Sequence, residues 1–133
     1  MVRTLANRVR APLSDLEKGP LLETFLLHEL RSAMLYLNTG GEFSYWRTPA
    51  GVEIDFIWTH GDTAVAIEIK SSTAWHRKES SALHRAVEDK LVSRACGVFL
   101  GGKDLREGRV RIHALSNFLK RLWGGEILRE GTD

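Results

Sequence analysis

The 133-residue chain has a single cysteine, Cys96, so no disulfide can form within it. The thiol lies in the apolar run Ala95-Cys96-Gly97-Val98-Phe99-Leu100, where a lone cysteine behaves as a small buried hydrophobe, and a reducing compartment is the expectation. Long hydrophobic runs are also missing. No stretch approaches the roughly 18 apolar residues of a membrane-crossing helix, and the N-terminus lacks a signal-peptide core. The chain is therefore read as cytoplasmic, with no membrane partner. Charge of one sign is scarce, since 19 Lys and Arg against 17 Asp and Glu leave only +2. Global charge thus gives no argument for nucleic acid, and any basic groove must be local. His28, His60, His84 and His113 are scattered without metal-ligand spacing, which leaves zinc unsupported. There is no G-x-S-x-G nucleophile turn and no G-x-x-x-x-G-K-[ST] loop, so no ATP site of that type is expected. Internal repeats and low-complexity segments are absent as well.

What remains is an ordinary globular composition, 43% hydrophobic and 27% charged, in a chain long enough to bury its own core. One domain over residues 1–133 is the expectation. Residues 1–18 mix Arg3, Arg8 and Arg10 with aliphatics and read as an N-terminal helical segment broken at Ala11-Pro12. Gly19-Pro20 opens a long helix, because proline favours the first helical position and Leu22, Leu26, Leu30, Ala33 and Leu37 recur at helical spacing up to Asn38-Thr39-Gly40-Gly41. Three strands follow at Phe43 to Thr48, Val52 to Thr59 and Ala64 to Lys70, with short turns that imply an antiparallel meander. Glu79 to Arg94 reads as a helix with Leu83, Ala86, Val87 and Leu91 on one face. Next come a strand at Cys96, a charged connection, a strand at Val110 to Leu115 and a short helix from Ser116 to Trp123. Residues 124–133 are polar and are expected to form a flexible tail. The sum is an α/β domain with a central mixed β-sheet of about four to five strands flanked by helices.

Chemistry concentrates in the second hairpin. Period-two geometry puts Val52, Ile54, Phe56 and Trp58 on one face and Glu53, Asp55 and Ile57 on the other. On the next strand it separates Val65, Ile67 and Ile69 from Ala64, Ala66, Glu68 and Lys70. A two-residue turn at Gly61-Asp62 then places Asp55 opposite Glu68 and Glu53 opposite Lys70, with the apolar faces aligned. Opposed carboxylates destabilise a sheet unless something compensates. A hard divalent cation does so, because Mg²⁺ commonly binds through one or two carboxylates, keeps several waters and meets substrate phosphate. Asp55 and Glu68 suit that role. Lys70 could orient the nucleophile or stabilise developing phosphate charge, which makes metal-assisted hydrolysis of a phosphodiester the reaction class. Glu23 is expected in the first turn of the long helix, beside its buried stripe. From there it could reach the cleft and hold a metal-bound water or a second ion, or simply complement the helix dipole.

The segments Gly19 to Leu30, Tyr45-Trp46-Arg47-Thr48, Glu53-Ile54-Asp55-Phe56 and Ala66-Ile67-Glu68-Ile69-Lys70-Ser71-Ser72 together resemble the domain of unknown function numbered 4143. The resemblance covers about residues 3 to 118. It implies a fold similar to the PD-(D/E)xK restriction-endonuclease superfamily, and a place behind an AAA+ ATPase module in prokaryotic proteins. The superfamily's helical Glu, strand Asp and Glu-x-Lys match Glu23, Asp55, Glu68 and Lys70. A Mg²⁺- or Mn²⁺-dependent nuclease of DNA is thus implied, with Asp55 and Glu68 as ligands. The alternative is a non-catalytic DNA- or protein-binding, regulatory module of an AAA+ ATPase supplied in cis or in trans. Two departures stand out: no ATPase domain is present in this chain, and Ile54 replaces the proline that names the superfamily.

Bland readings compete at each position. The strand acids could form cross-strand salt bridges with no further role. Arg47 could contact a phosphate, but a strand arginine more often pairs with a neighbouring acid. Ser71, Ser72, Trp75, Arg77 and Lys78 combine hydroxyls, an aromatic and bases in one loop, a mixture suited to backbone contact and base stacking. The same loop could be solvated and held by one anchoring tryptophan.

Overall fold

A computed structural model describes residues 15–47 and 53–130, with side chains from residue 21 onward. The expected helix over the first 14 residues, the Pro49-Ala50-Gly51 turn and the last three residues of the tail lie outside the described residues. Helix α1 spans Asp15–Tyr36, followed by β1 (Glu42–Arg47), β2 (Glu53–His60) and β3 (Thr63–Ile69). A 3₁₀ turn at Arg77–Ser80 leads into α2 (Ser81–Glu88), then β4 (Arg94–Phe99), β5 (Leu105–Glu107), β6 (Val110–Ala114) and α3 (Leu115–Trp123). The strands form one mixed sheet in the order β1-β2-β3-β4-β6-β5. β1, β2 and β3 make the expected antiparallel meander, while β3–β4 and β4–β6 pair in parallel.

Two hydrophobic clusters cover the two faces. Leu26, Leu30 and Ala33 of α1, with Phe118 and Leu122 of α3, pack on Trp58, Val65, Ile67, Ile69, Cys96 and Val98. Leu83 and Ala86 of α2 pack on Ile54, Ile57, Ala66, Ala95, Phe99 and Ile112. Helices on both faces explain why every residue of β4 is buried rather than alternating. No helix among the described residues is long and apolar enough to cross a membrane.

Several elements differ from the sequence reading. α1 begins at Asp15, one turn before Gly19-Pro20, so Asp15–Lys18 continue the long helix instead of forming a separate segment. α2 ends at Glu88 because Lys90 takes a left-handed conformation (φ 59°), which no helix can continue through. Leu91 is consequently half exposed, and Val92 fills the core in its place. The sheet has six strands, one more than the five segments read as strands. The additional one, β5, is hidden in the charged connection, where Gly108-Arg109 turns Glu107 back onto Val110 and only edge pairing is needed.

The expected flexible tail is packed as far as Leu128, and Arg129 and Glu130 are exposed. Ile127 and Leu128 lie in the α1/α3 core, and Arg94 Nη2 donates to the carbonyls of Ile127 (2.8 Å) and Arg129 (2.7 Å). Leu128 is 1% exposed, so Leu128→Ala should cost about 2 to 5 kcal/mol in urea unfolding. A loss below about 0.5 kcal/mol, the range of a surface position, would contradict this packing.

Candidate metal and phosphate site

The site is created where β2 and β3 part company. From the turn at Gly61 (φ 57°) the two strands pair through His60–Thr63 to Phe56–Ile67, and the ladder stops there. Beyond that point β2 stays paired with β1 at Ile54 and Glu53, and β3 stays paired with β4 at Glu68 and Ile69. Backbone N–H groups along such a split lose their ladder partners and need others. Two carboxylates supply them: Asp55 N–H donates to Glu68 Oε1 (3.1 Å), and Ile69 N–H donates to Asp55 Oδ2 (2.8 Å). Each acid thus closes the gap on the opposite strand, in the register that the Gly61-Asp62 turn predicts.

A bulge aims Asp55. Between the pairs Ser44–Ile57 and Trp46–Ile54, β2 carries one residue more than β1. The extra residue breaks the alternation, so Ile54 and Ile57 both face α2 while Phe56 and Trp58 face α1. The expected grouping of Ile54 with Phe56 and Trp58 is therefore incorrect. So is the expected pairing of Glu53 with Lys70: Glu53 meets Arg47 instead (3.4 Å), and Lys70 Nζ sits 3.2 Å from Glu68 Oε2. On β3 the alternation holds, with Val65, Ile67 and Ile69 on the α1 side and Ala66 on the α2 side.

Glu23 joins from α1 and lines the same cleft as Asp55, close enough for the Asp55 charge to add to burial in raising Glu23. It stands more than two turns into the helix, not in the first turn, so the helix dipole no longer accounts for it. Glu23, Asp55 and Glu68 share one ammonium, Lys70. Burial pushes the Glu68 carboxyl up to about 7, and the Asp55 charge adds to this against Lys70 and the Asp55 N–H. Burial and then Asp55 raise Glu23 as well. Burial alone would lower Lys70, but Glu68, Asp55 and Glu79 outweigh it and hold the ammonium above its ordinary range.

Beside the carboxylates opens a cleft of about 400 Å³, lined by Glu23, Leu27 and Arg31 of α1 and by Tyr45, Arg47 and Asp55 of the sheet. Arg31 was missed by sequence reasoning, although Glu23, Leu27 and Arg31 recur at four-residue spacing on one helix face. Glu79 was missed too; its Oε2 accepts from His76 N–H (3.0 Å), a helix-start pattern legible in His76-Arg77-Lys78-Glu79.

The outer residues are placed less favourably. Arg47 is exposed, paired with Glu53 and stacked over Tyr45 at 5.7 Å, which is the salt-bridge reading. Trp75 is the loop's anchor rather than a stacking platform. Its ring lies so close over Gly97 that a Cβ there would fall 2.5 Å from it, and its Nε1–H donates to Ser80 (2.7 Å). Ser72 Oγ accepts from Ala74 N–H (3.1 Å), and its carbonyl accepts from Leu100 N–H (2.9 Å). Ser71 is half-buried beside Lys70, while Arg77 and Lys78 are exposed. Arg77 lies 3.8 Å from Glu107. Arg77, Arg85 and Arg106 line a larger cavity of about 940 Å³ beyond Glu53, where Glu53, Glu88 and Glu107 match them in number.

The donor set decides what the site can hold. Among the described residues, no group of three or more His, Cys, Asp or Glu side chains is arranged to hold a metal. Asp55 and Glu68 nevertheless keep Oδ1 and Oε2 beyond their backbone bonds, and burial of like charges leaves the pair short of positive charge. Two carboxylates fit Mg²⁺ or Mn²⁺ of the type that retains most of its waters. Such an ion would compete with Lys70 for Glu68 Oε2.

The fold and site define an α/β domain with an acidic cluster at a split in its sheet. The chain belongs to the family described as domain of unknown function (DUF4143), whose model matches residues 18–118. No curated protein and no solved structure matches the chain.

A raised folded-state carboxyl makes stability fall as pH rises. Between the ordinary value of 4.5 and about 7, the folded chain holds a proton on Glu68 that the unfolded chain has released. The contribution is complete below 4.5 and gone above about 7, for a total on the order of 3 kcal/mol. Glu68→Gln keeps the acceptor for Asp55 N–H but cannot titrate, so its urea-unfolding stability should vary less between pH 5 and 8 than that of the wild type. Equal slopes in the two proteins would rule out a raised Glu68.

Proposed function

We propose that this domain is a PD-(D/E)xK nuclease-like module, restriction-endonuclease-like in fold, that hydrolyses DNA phosphodiesters with Mg²⁺ or Mn²⁺. The observation that carries the reading is the mutual strand closure of Asp55 and Glu68 beside Lys70, at the open end of a hairpin whose sheet splits there. The two carboxylates cap the backbone N–H groups at the split, but that needs only acceptors and not two charges, and a salt bridge to one ammonium rarely repays the desolvation of both acids. Glu23 on the adjoining cleft wall of α1, with a carboxyl that Asp55 helps to raise, supports the same reading.

In this reading Asp55 and Glu68 would hold the ion, which when bound would supply charge stabilisation and a more acidic water. Lys70 stays an ammonium and meets the charge that develops on the phosphate, rather than taking a proton. Glu23, with its raised carboxyl, holds a water at the mouth of the cleft. Water adds to phosphorus, the ester P–O bond breaks, and the leaving oxygen takes up a proton. Arg31, which shares the cleft wall with Glu23, is placed to contact a neighbouring phosphate.

A second reading has its own support. Arg47 and Arg77 pair with Glu53 and Glu107, and the larger cavity balances its arginines with glutamates, so the described residues around the site form no basic groove. That favours a non-catalytic binding or regulatory module, attached to an AAA+ ATPase in cis or in trans.

Calorimetric titration of Mn²⁺ into the wild type and Asp55→Asn, with DNA cleavage measured on the same samples, separates the two. Asparagine can still accept from Ile69 N–H, so folding should survive. The nuclease reading expects Mn²⁺ binding and cleavage by the wild type, with both lost in the variant. Metal binding without cleavage would favour the regulatory module, and no binding by either protein at millimolar Mn²⁺ would defeat the metal site.

A further inference from the structure

The bulge in β2 that aims Asp55 also sets what stands across from it. Ser44 pairs with Ile57 and Trp46 with Ile54, so Tyr45 lies on β1 opposite Asp55-Phe56. β1 is an edge of the sheet. Along it Phe43 packs on the α1-side core and Trp46 on the α2-side core, and alternation therefore puts Phe43, Tyr45 and Arg47 together on the α1 side. Phe43 is partly buried there, whereas Tyr45 is 71% exposed.

Two stripes thus line the cleft of about 400 Å³: Glu23, Leu27 and Arg31 from α1, and Phe43, Tyr45 and Arg47 from β1. Asp55 and Phe56 of β2 line the same space. The Arg47 guanidinium lies 5.7 Å from the centroid of the Tyr45 ring and is itself held 3.4 Å from Glu53. Arg47 braces the ring, and a braced ring loses less freedom when a partner settles on it. A single exposed tyrosine is ordinary on a protein surface. Tyr45 differs by its place, on the wall of the cleft that also holds Glu23 and Asp55. Arg31 and Arg47 are matched there by Glu23, Glu53 and Asp55, so the cleft offers a guest an aromatic face rather than an excess of positive charge.

We propose that this cleft takes single-stranded DNA, with an unpaired base stacked on Tyr45 beside the carboxylate cluster. The inference rests on the nuclease-like reading and names the substrate class of that site. Bases in a duplex stack on one another and show only their edges in the grooves, so an aromatic face gains a partner only where a base is unpaired. The cleft volume is that of roughly thirteen waters at about 30 Å³ each, room for about one nucleotide rather than for a double helix. Arg31, on the opposite wall, is the group that a backbone phosphate of the same strand would meet.

The test uses the full chain with a fluorescein-labelled oligothymidylate of about ten nucleotides and a hairpin duplex of similar charge. Binding is read by fluorescence anisotropy in Ca²⁺, which takes oxygen ligands as Mg²⁺ does, and cleavage of the same two probes is read in Mn²⁺. The single strand should bind about tenfold more tightly than the hairpin, Tyr45→Ala should lose about tenfold in that affinity, and Tyr45→Phe, which keeps the ring, should retain it. Circular dichroism should show both variants folded, since the side chain lies mostly in solvent. Equal binding of the two probes, or a Tyr45→Ala variant that binds the single strand as the wild type does, would overturn the proposal. Selective, Tyr45-dependent binding without cleavage would uphold the strand preference and defeat hydrolysis. Equal cleavage of both probes, unchanged in Tyr45→Ala, would uphold the nuclease and overturn the strand preference.

Discussion

Two crossed hydrogen bonds, from Asp55 N–H to Glu68 and from Ile69 N–H to Asp55, are the constraint on which the rest of this structure depends. They replace the backbone ladder where β2 and β3 separate, and they require both carboxylates to enter the gap. Bringing two acids together in a half-buried place is unfavourable in itself. The backbone donors and the Lys70 ammonium offset part of that cost, and partial protonation offsets more, as the Glu68 value of about 7 indicates. The proposed function rests on the remaining imbalance. A site that keeps a proton for want of positive charge is one in which a divalent cation finds oxygen ligands already converging.

The hairpin was legible because two local rules agree. A Gly61-Asp62 turn fixes register, and period two holds along β3, so Asp55 is brought opposite Glu68 even though the faces expected on β2 change at the bulge. The bulge at Asp55-Phe56 left no such mark, since Glu53-Ile54-Asp55-Phe56-Ile57 reads equally well as an unbroken strand. It arises from pairing with β1, a partner that local periodicity does not see. Likewise β5 is three mostly exposed residues that become a strand only by lying against β6. The tail looked polar because Ile127 and Leu128 are two apolar residues among charges, and their burial depends on Arg94, more than thirty positions away. Glu23 lines the cleft from deeper in the helix than expected: its spacing from Leu27 was visible, but the helix start at Asp15 was not.

The charge distribution along the sheet gives the small net charge of the chain a different meaning. Carboxylates cluster at the end of β3, and arginines cluster where β4 and β6 begin. A net of +2 therefore goes with an uneven placement of acids and arginines along the sheet. Both clusters rest on long-range hydrogen bonds that hold like charges together: the strand exchange at one end and the Arg94 contacts to the C-terminal segment at the other.

The most direct measurement of the central claim is the carbon-13 NMR titration of the Glu68 carboxyl, without and with saturating Mg²⁺. The account predicts a midpoint near 7 without the ion, and a fall below the ordinary carboxylate value of 4.5 once Mg²⁺ takes the place of the proton. A midpoint at the ordinary value in the free protein, or one that Mg²⁺ leaves unmoved, would contradict it.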